Sequence, residues 1–131
     1  MTTPDIGHMV ADGLTKPLPL YNHATIHNGI VYISAIQGFV PGTVEFPSTD
    51  PGDEARQVLA NLKVVLDQAG SSLAHVLKIT VLMTDMTYFS KINDAINEAF
   101  PVDPPARSSI SVNELPKQAK VAIEAIAAVC T

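Results

Sequence analysis

The segment Val121-Ala122-Ile123-Glu124-Ala125-Ile126-Ala127-Ala128-Val129 limits the possible folds more than any other part of the chain. It reads as a strand with Val121, Ile123, Ala125, Ala127 and Val129 on one face and Ala122, Ile126 and Ala128 on the other. A strand that is apolar on both sides belongs in a sheet covered on both sides. Helices can cover one face. The chain holds no further elements for the other, so a second copy of the chain is the expected cover. Composition agrees: 47% of the 131 residues are hydrophobic and only 16% charged, little charge for a small domain standing alone.

The remaining elements follow in order. Met1 to Leu20 reads as an irregular lead-in, with Pro17 and Pro19 near its end. Ala24 to Ile36 forms a hairpin around Asn28-Gly29, a strong two-residue turn signal. Residues 38 to 50 hold two prolines and two glycines and predict a loop. A helix then starts at Asp50 (cap) and Pro51 (first position), with Asp53 and Glu54 favouring its positive dipole end. Its stripe is Ala55, Val58, Leu59, Leu62, Val65, Leu66 and Ala69, its stop is Gly70, and Arg56, Lys63 and Asp67 belong to the solvated face. Val76 to Thr84 is a strand with Leu77, Ile79, Val81 and Met83 on one face; a second helix spans Tyr88 to Phe100. Arg107 to Asn113 is another strand, Leu115-Pro116 a turn, and the two-sided strand closes the chain. The order predicts an α+β fold over residues 1–131, one mixed sheet with two helices on one face.

Few residues carry chemistry. Arg107 follows Pro104-Pro105, which stiffen the approach, and opens a strand whose alternate positions are Ser109, Ser111 and Asn113. A rigidly placed guanidinium grips a carboxylate through two parallel hydrogen bonds; the alternative is a structural ion pair. Glu124 stands among apolar neighbours, which suits a general acid/base or a water-orienting acceptor; the alternative is a glutamate that reaches solvent or pairs with Lys120. Tyr21, Asn93 and Ser34 could line a cleft, or simply pack, be solvated and cap a turn.

Several classes are excluded. His23 and His27 on one strand would stand roughly 13 Å apart, too far for one metal ion. No G-x-S-x-G, G-x-G-x-x-G or Walker-type loop occurs. A net charge of −5 disfavours nucleic acid. The N-terminus lacks the apolar run of a signal peptide or membrane span, and the single Cys130 fits a reducing compartment, so a cytoplasmic protein is expected.

Taken together, the chain resembles the RidA/YjgF family of reactive enamine/imine deaminases. The matching stretches are Val31-Tyr32-Ile33-Ser34, Ala55-Arg56-Gln57-Val58-Leu59-Ala60-Asn61-Leu62, Ala69-Gly70, Val76 to Val81, Ile92-Asn93, Pro105-Ala106-Arg107-Ser108, Leu115-Pro116 and Ile123 to Ala127. The resemblance implies a chorismate-mutase-like sandwich and a homotrimer with ligand clefts between subunits. It also implies hydrolysis of 2-iminopropanoate and 2-iminobutanoate to 2-keto acids and ammonia, without cofactor or metal. Arg107 would hold the substrate carboxylate and Glu124 the attacking water; Tyr21, Ser34, Asn93 and the Ser109 backbone would line the cleft. The chain departs from the family pattern at Pro19-Leu20-Tyr21-Asn22, at Ser34-Ala35-Ile36 and at Ser109, where many members carry Cys. Those departures bear on the substrate. A relative acting on a different imine or amino acid in a degradation pathway, and a non-catalytic module that binds small carboxylates, are the alternatives.

Overall fold

The computed structural model describes residues 5–130. Among them, six strands form one sheet: β1 (Gly7–Met9), β2 (Ala24–His27), β3 (Ile30–Gln37), β4 (Val76–Met83), β5 (Ala106–Ser111) and β6 (Val121–Ala128), in the order β1-β2-β3-β6-β4-β5. Helix α1 (Pro51–Gln68) joins β3 to β4, and α2 (Phe89–Ala99) joins β4 to β5. The β4–β5 pair is parallel and the other pairs antiparallel. Both helical crossovers step the same way across the sheet. Right-handed crossovers then place both helices on the same face, as the apolar periodicities predict.

The local signals hold. Asn28 and Gly29 take φ of 51° and 77°, the left-handed pair that the two-residue hairpin turn requires. The Asp50 carboxylate accepts the Asp53 N–H at 3.1 Å and caps α1. Gly70 at φ 78° ends it. The core lies between helices and sheet: Val58, Leu62, Val65 and Leu66 of α1 and Ile92 and Ile96 of α2 meet Val31, Ile79, Val81, Val121 and Ile123. β6 runs through the middle of the sheet, between β3 and β4, as its two apolar faces demand.

Two expectations need correction, and the burial of Glu54 is a further finding. The lead-in is not wholly irregular: Gly7–Met9 pairs with Ala24–Ile26 and extends the sheet by a strand, while residues 1–4 lie outside the described part. A three-residue strand is too short to show alternation, so its partner's free edge recruits it. Leu77 does not join the core face and is half exposed, because a register shift between Val76 and Lys78 inserts one residue into β4. Glu54 does not decorate the solvated start of α1. It is fully buried, and one carboxylate oxygen accepts the Lys120 and Val121 N–H groups at 2.7 and 3.1 Å. The other oxygen has no partner. Burial pushes this carboxyl above the usual carboxylate range, against the lowering effect of those two N–H groups. Gly38 packs over it, where a Cβ would come 2.5 Å from the Glu54 carbonyl oxygen.

Candidate functional site

The open face of the sheet, away from the helices, holds Glu124. Register decides this. Ile123 and Ala125 point into the core, so Glu124 between them points out, level with Thr80 of β4. On its other side, β3 pairs Ile33 with Ala125 and Ile36 with Ile123. Ser34 and Ala35 therefore both stand opposite Glu124: two residues against one, a β-bulge beside the carboxylate. Beside it lies a depression of about 220 Å³ lined by Tyr32, Ile33, Lys78, Thr80, Glu124, Ala125 and Ile126. Glu124 is exposed and makes no ion pair with Lys120 or any other described residue.

Tyr21 and Ser34 lie on the same side of the molecule and share a pocket wall with Tyr32 and Thr25. The Ser34 hydroxyl donates to the Asn22 carbonyl at 2.7 Å, and the Ser34 N–H to the His23 carbonyl at 2.9 Å. So Ser34 fastens the residues that follow Tyr21, and its oxygen keeps lone pairs for a further donor. The end of β3 is held from the core side: the Asn61 amide donates to the Gln37 and Phe39 carbonyls at 3.0 and 2.9 Å, and Gln57 donates to the Asn61 oxygen at 2.9 Å.

Arg107 lies elsewhere. Its register partner is Ile79, a core-facing residue, so Arg107 leaves β5 on the helix side of the sheet. Its guanidinium carbon sits 5.8 Å from the centre of the Phe89 ring at the start of α2, a cation–π contact that orients the fork. Among the described residues no carboxylate pairs with it. Asn93, half-buried, lies one helical turn after Phe89 and so on the same stretch of α2 surface. Ser109 shares the Arg107 face. The Val112 N–H bonds back to the Met83 carbonyl, so by alternation the backbone groups of Ser108 and Ile110 turn to β4. Those of Arg107, Ser109 and Ser111 point outward from the edge of the sheet.

The six expected residues thus form two groups: Glu124, Ser34 and Tyr21 by the open face, and Arg107, Asn93 and Ser109 at the β5 edge on the helix side. Within one chain they do not converge. Arg107 and Glu124 are separated by β4, about 10 Å between backbones at ordinary strand spacing, and their side chains leave opposite faces. Among the described residues no group of three His, Cys, Asp or Glu side chains gathers as a metal site. None of their helices is long and apolar enough to cross a membrane.

Two supporting residues were missed from the sequence, although the pattern contains them. Glu54 and Asn61 fall on the apolar stripe of α1 together with Val58 and Val65. Polar side chains at stripe positions are buried and must be hydrogen-bonded. His23 was also missed; it is 6% exposed, lines a cavity together with Tyr21, and has both ring nitrogens bonded to backbone.

A family model described as Endoribonuclease L-PSP matches residues 14–129. A RutC family protein of Pyrococcus horikoshii is 39% identical, over 86% of this chain and 89% of that protein. A protein of Dermatophagoides farinae named 2-iminobutanoate/2-iminopropanoate deaminase is 35% identical, over 85% of this chain and 87% of its own length. The crystal structure of E. coli TdcF with bound serine superimposes with a TM-score of 0.83 at 30% identity, over 92% of this chain and 98% of that one. With the six-stranded mixed sheet and its two helices on one face, these matches place the chain in the RidA/YjgF family.

Proposed function

We propose that the protein hydrolyses small 2-imino acids to 2-keto acids and ammonia, at a site completed between two copies of the chain, most simply in a homotrimer. The observation that carries this reading is the division of the polar residues. An unpaired guanidinium at a sheet edge and a carboxylate on an uncovered sheet face cannot meet within one chain. They meet when the β5 edge of one copy lies against the open face of the next. That face carries Tyr32 at 48% exposure and Ile110 at 46%, together with Leu82 and Ile126 half-buried, so it has apolar area to hide. Relatives named as imine deaminases, and a relative crystallised with an amino acid, support a small α-carboxylate as the common ligand element.

The chemistry follows from the groups. Arg107, oriented by Phe89, takes the substrate carboxylate in two parallel hydrogen bonds, with the outward Ser109 N–H beside it. The protonated C=N is then held over the neighbour's Glu124. That carboxylate takes a proton from a water as the water oxygen bonds to the imine carbon. It returns that proton to nitrogen, then takes the hydroxyl proton of the tetrahedral carbon as the C–N bond breaks and the C=O forms, and passes it to the departing ammonia, leaving a keto acid and ammonium. Tyr21, Ser34 and Asn93 line the cleft. No covalent intermediate with the protein is needed.

Complementation tests this reading. Arg107→Ala and Glu124→Ala should each be inactive in assays that follow keto-acid release from a dehydratase-generated imine. Unfolding the two together and reassembling them should restore about a quarter of wild-type activity, because random mixing in a ring gives that share of sites both intact groups. No recovery in hybrids shown to be mixed would sink the shared site. Activity in a protein that sediments as a monomer would do the same.

A further inference from the structure

The segment before β2 has a tie that the deaminase reading does not use. His23 Nδ1 accepts the Ala11 N–H at 2.9 Å, so Nδ1 carries no proton, and Nε2 faces the Thr15 carbonyl at 3.1 Å as its donor. Only the neutral ring protonated on Nε2 makes both bonds. The same segment is pinned at two further points: Asp12 exchanges two backbone bonds with the Gln68 amide at 2.8 Å, and the Thr15 hydroxyl donates to the Thr43 carbonyl. Between these ties the segment closes a cavity of about 50 Å³ that includes Lys16, Pro17, Tyr21, His23 and Ser34.

We propose that His23 is a positioning residue, a latch that holds residues 11–17 against β2 and β3 and so fixes the wall beside Tyr21, and that a proton on its second ring nitrogen releases the latch. A cationic ring must present N–H at both nitrogens. Nδ1–H then opposes the Ala11 N–H, and one buried donor loses its acceptor. Burial already holds this imidazole below the ordinary histidine range, outweighing the raising effect of the Thr15 carbonyl. The surroundings offer little to stabilise the cation. No carboxylate lines the cavity: Lys16 and Tyr21 are its other titratable side chains, and α1 and β3 contribute neutral Asn61, Ser34 and Gln37. A depressed folded pKa means that the open form binds the extra proton first, so the closed segment loses stability as pH falls below about 6.5.

The structural part of the test is independent of the deaminase reading; the kinetic part rests on it. In protein labelled at histidine nitrogens, NMR at about pH 7.5 should find the His23 proton on Nε2. On acidification, the Ala11 amide should lose about tenfold in hydrogen-exchange protection per pH unit below about 6.5, down to the folded pKa of the ring. The core amide of Val31 should stay protected. His23→Gln keeps an acceptor and a donor but does not titrate, and its Ala11 protection should be flat with pH. In turnover assays the wild-type KM should rise on acidification relative to that of His23→Gln, with kcat nearly unchanged. An Nδ1–H tautomer, a pH-independent Ala11 protection, loss of Val31 together with Ala11, or the same acid response in His23→Gln would each overturn the latch. An opening that leaves the KM ratio constant would overturn its positioning role. A protein with no turnover in any form would fail the deaminase reading and leave the exchange result to decide the latch.

Discussion

Glu54 and Glu124 lie on opposite faces of one sheet, and each sits opposite to where its neighbours in the sequence suggest. Glu54, the fourth residue of α1 and next to Asp53, has the setting of a solvated dipole partner and is fully buried. Glu124, among alanines and isoleucines on the central strand, has the setting of a buried group and is exposed in the isolated chain. The difference is layering. The helices close one face and leave Glu54 with two backbone donors and one orphaned oxygen. Among the described residues nothing closes the other face, so Glu124 keeps its lone pairs for a ligand or a water. A carboxylate committed to backbone donors holds structure, whereas an uncommitted one beside a bulge is free for chemistry.

The largest expected effect falls on the open face. Glu124→Gln should lower kcat by about 10²–10⁴, the range for loss of a general acid/base, with little change in melting temperature. A similar loss of stability and activity together would mean that Glu124 is structural and would break the contrast. Next come the two apolar layers. Leu62→Ala under the helices should cost about 2–5 kcal/mol in denaturant unfolding at any protein concentration. Ile126→Glu on the open face should instead shift sedimentation toward monomer, with stability that depends on concentration. If both variants behaved alike, the two faces would not differ in what covers them.

Glu54 sharpens the comparison. Glu54→Ala strands the Lys120 and Val121 N–H groups and should cost about 1–3 kcal/mol. Glu54→Gln keeps an acceptor and removes the charge, so it should be more stable than wild type at neutral pH. The sign comes from the raised carboxyl: its contribution is fully present below the ordinary glutamate value and is lost as pH rises through the folded pKa. The Gln variant should therefore lack that decline, measured by thermal melts across the acid range. The smallest effect belongs to the solvated face. Arg56→Ala removes a two-point pair with Glu98 at 2.9 Å, yet both partners are exposed, and the melting temperature should hardly move.

Element boundaries were legible wherever a short-range rule acts: Asn28-Gly29, the Asp50-Pro51 start and the Gly70 stop each fall where expected. The central place of β6 was legible too, because a strand apolar on both faces has few places to go. The β1 strand and the β4 irregularity at Leu77 were not, since partners distant in sequence set both.

For the candidate site, residue types could be read along the chain but not their grouping. Arg107 and Glu124 stand out by their neighbours in sequence. That they leave opposite faces depends on register: Arg107 stands level with Ile79 of β4 and Glu124 with the next residue, Thr80. Alternation along a strand tells which residues share a face; only pairing across strands tells which face that is, because the side-chain period of two reverses with every one-residue shift in register.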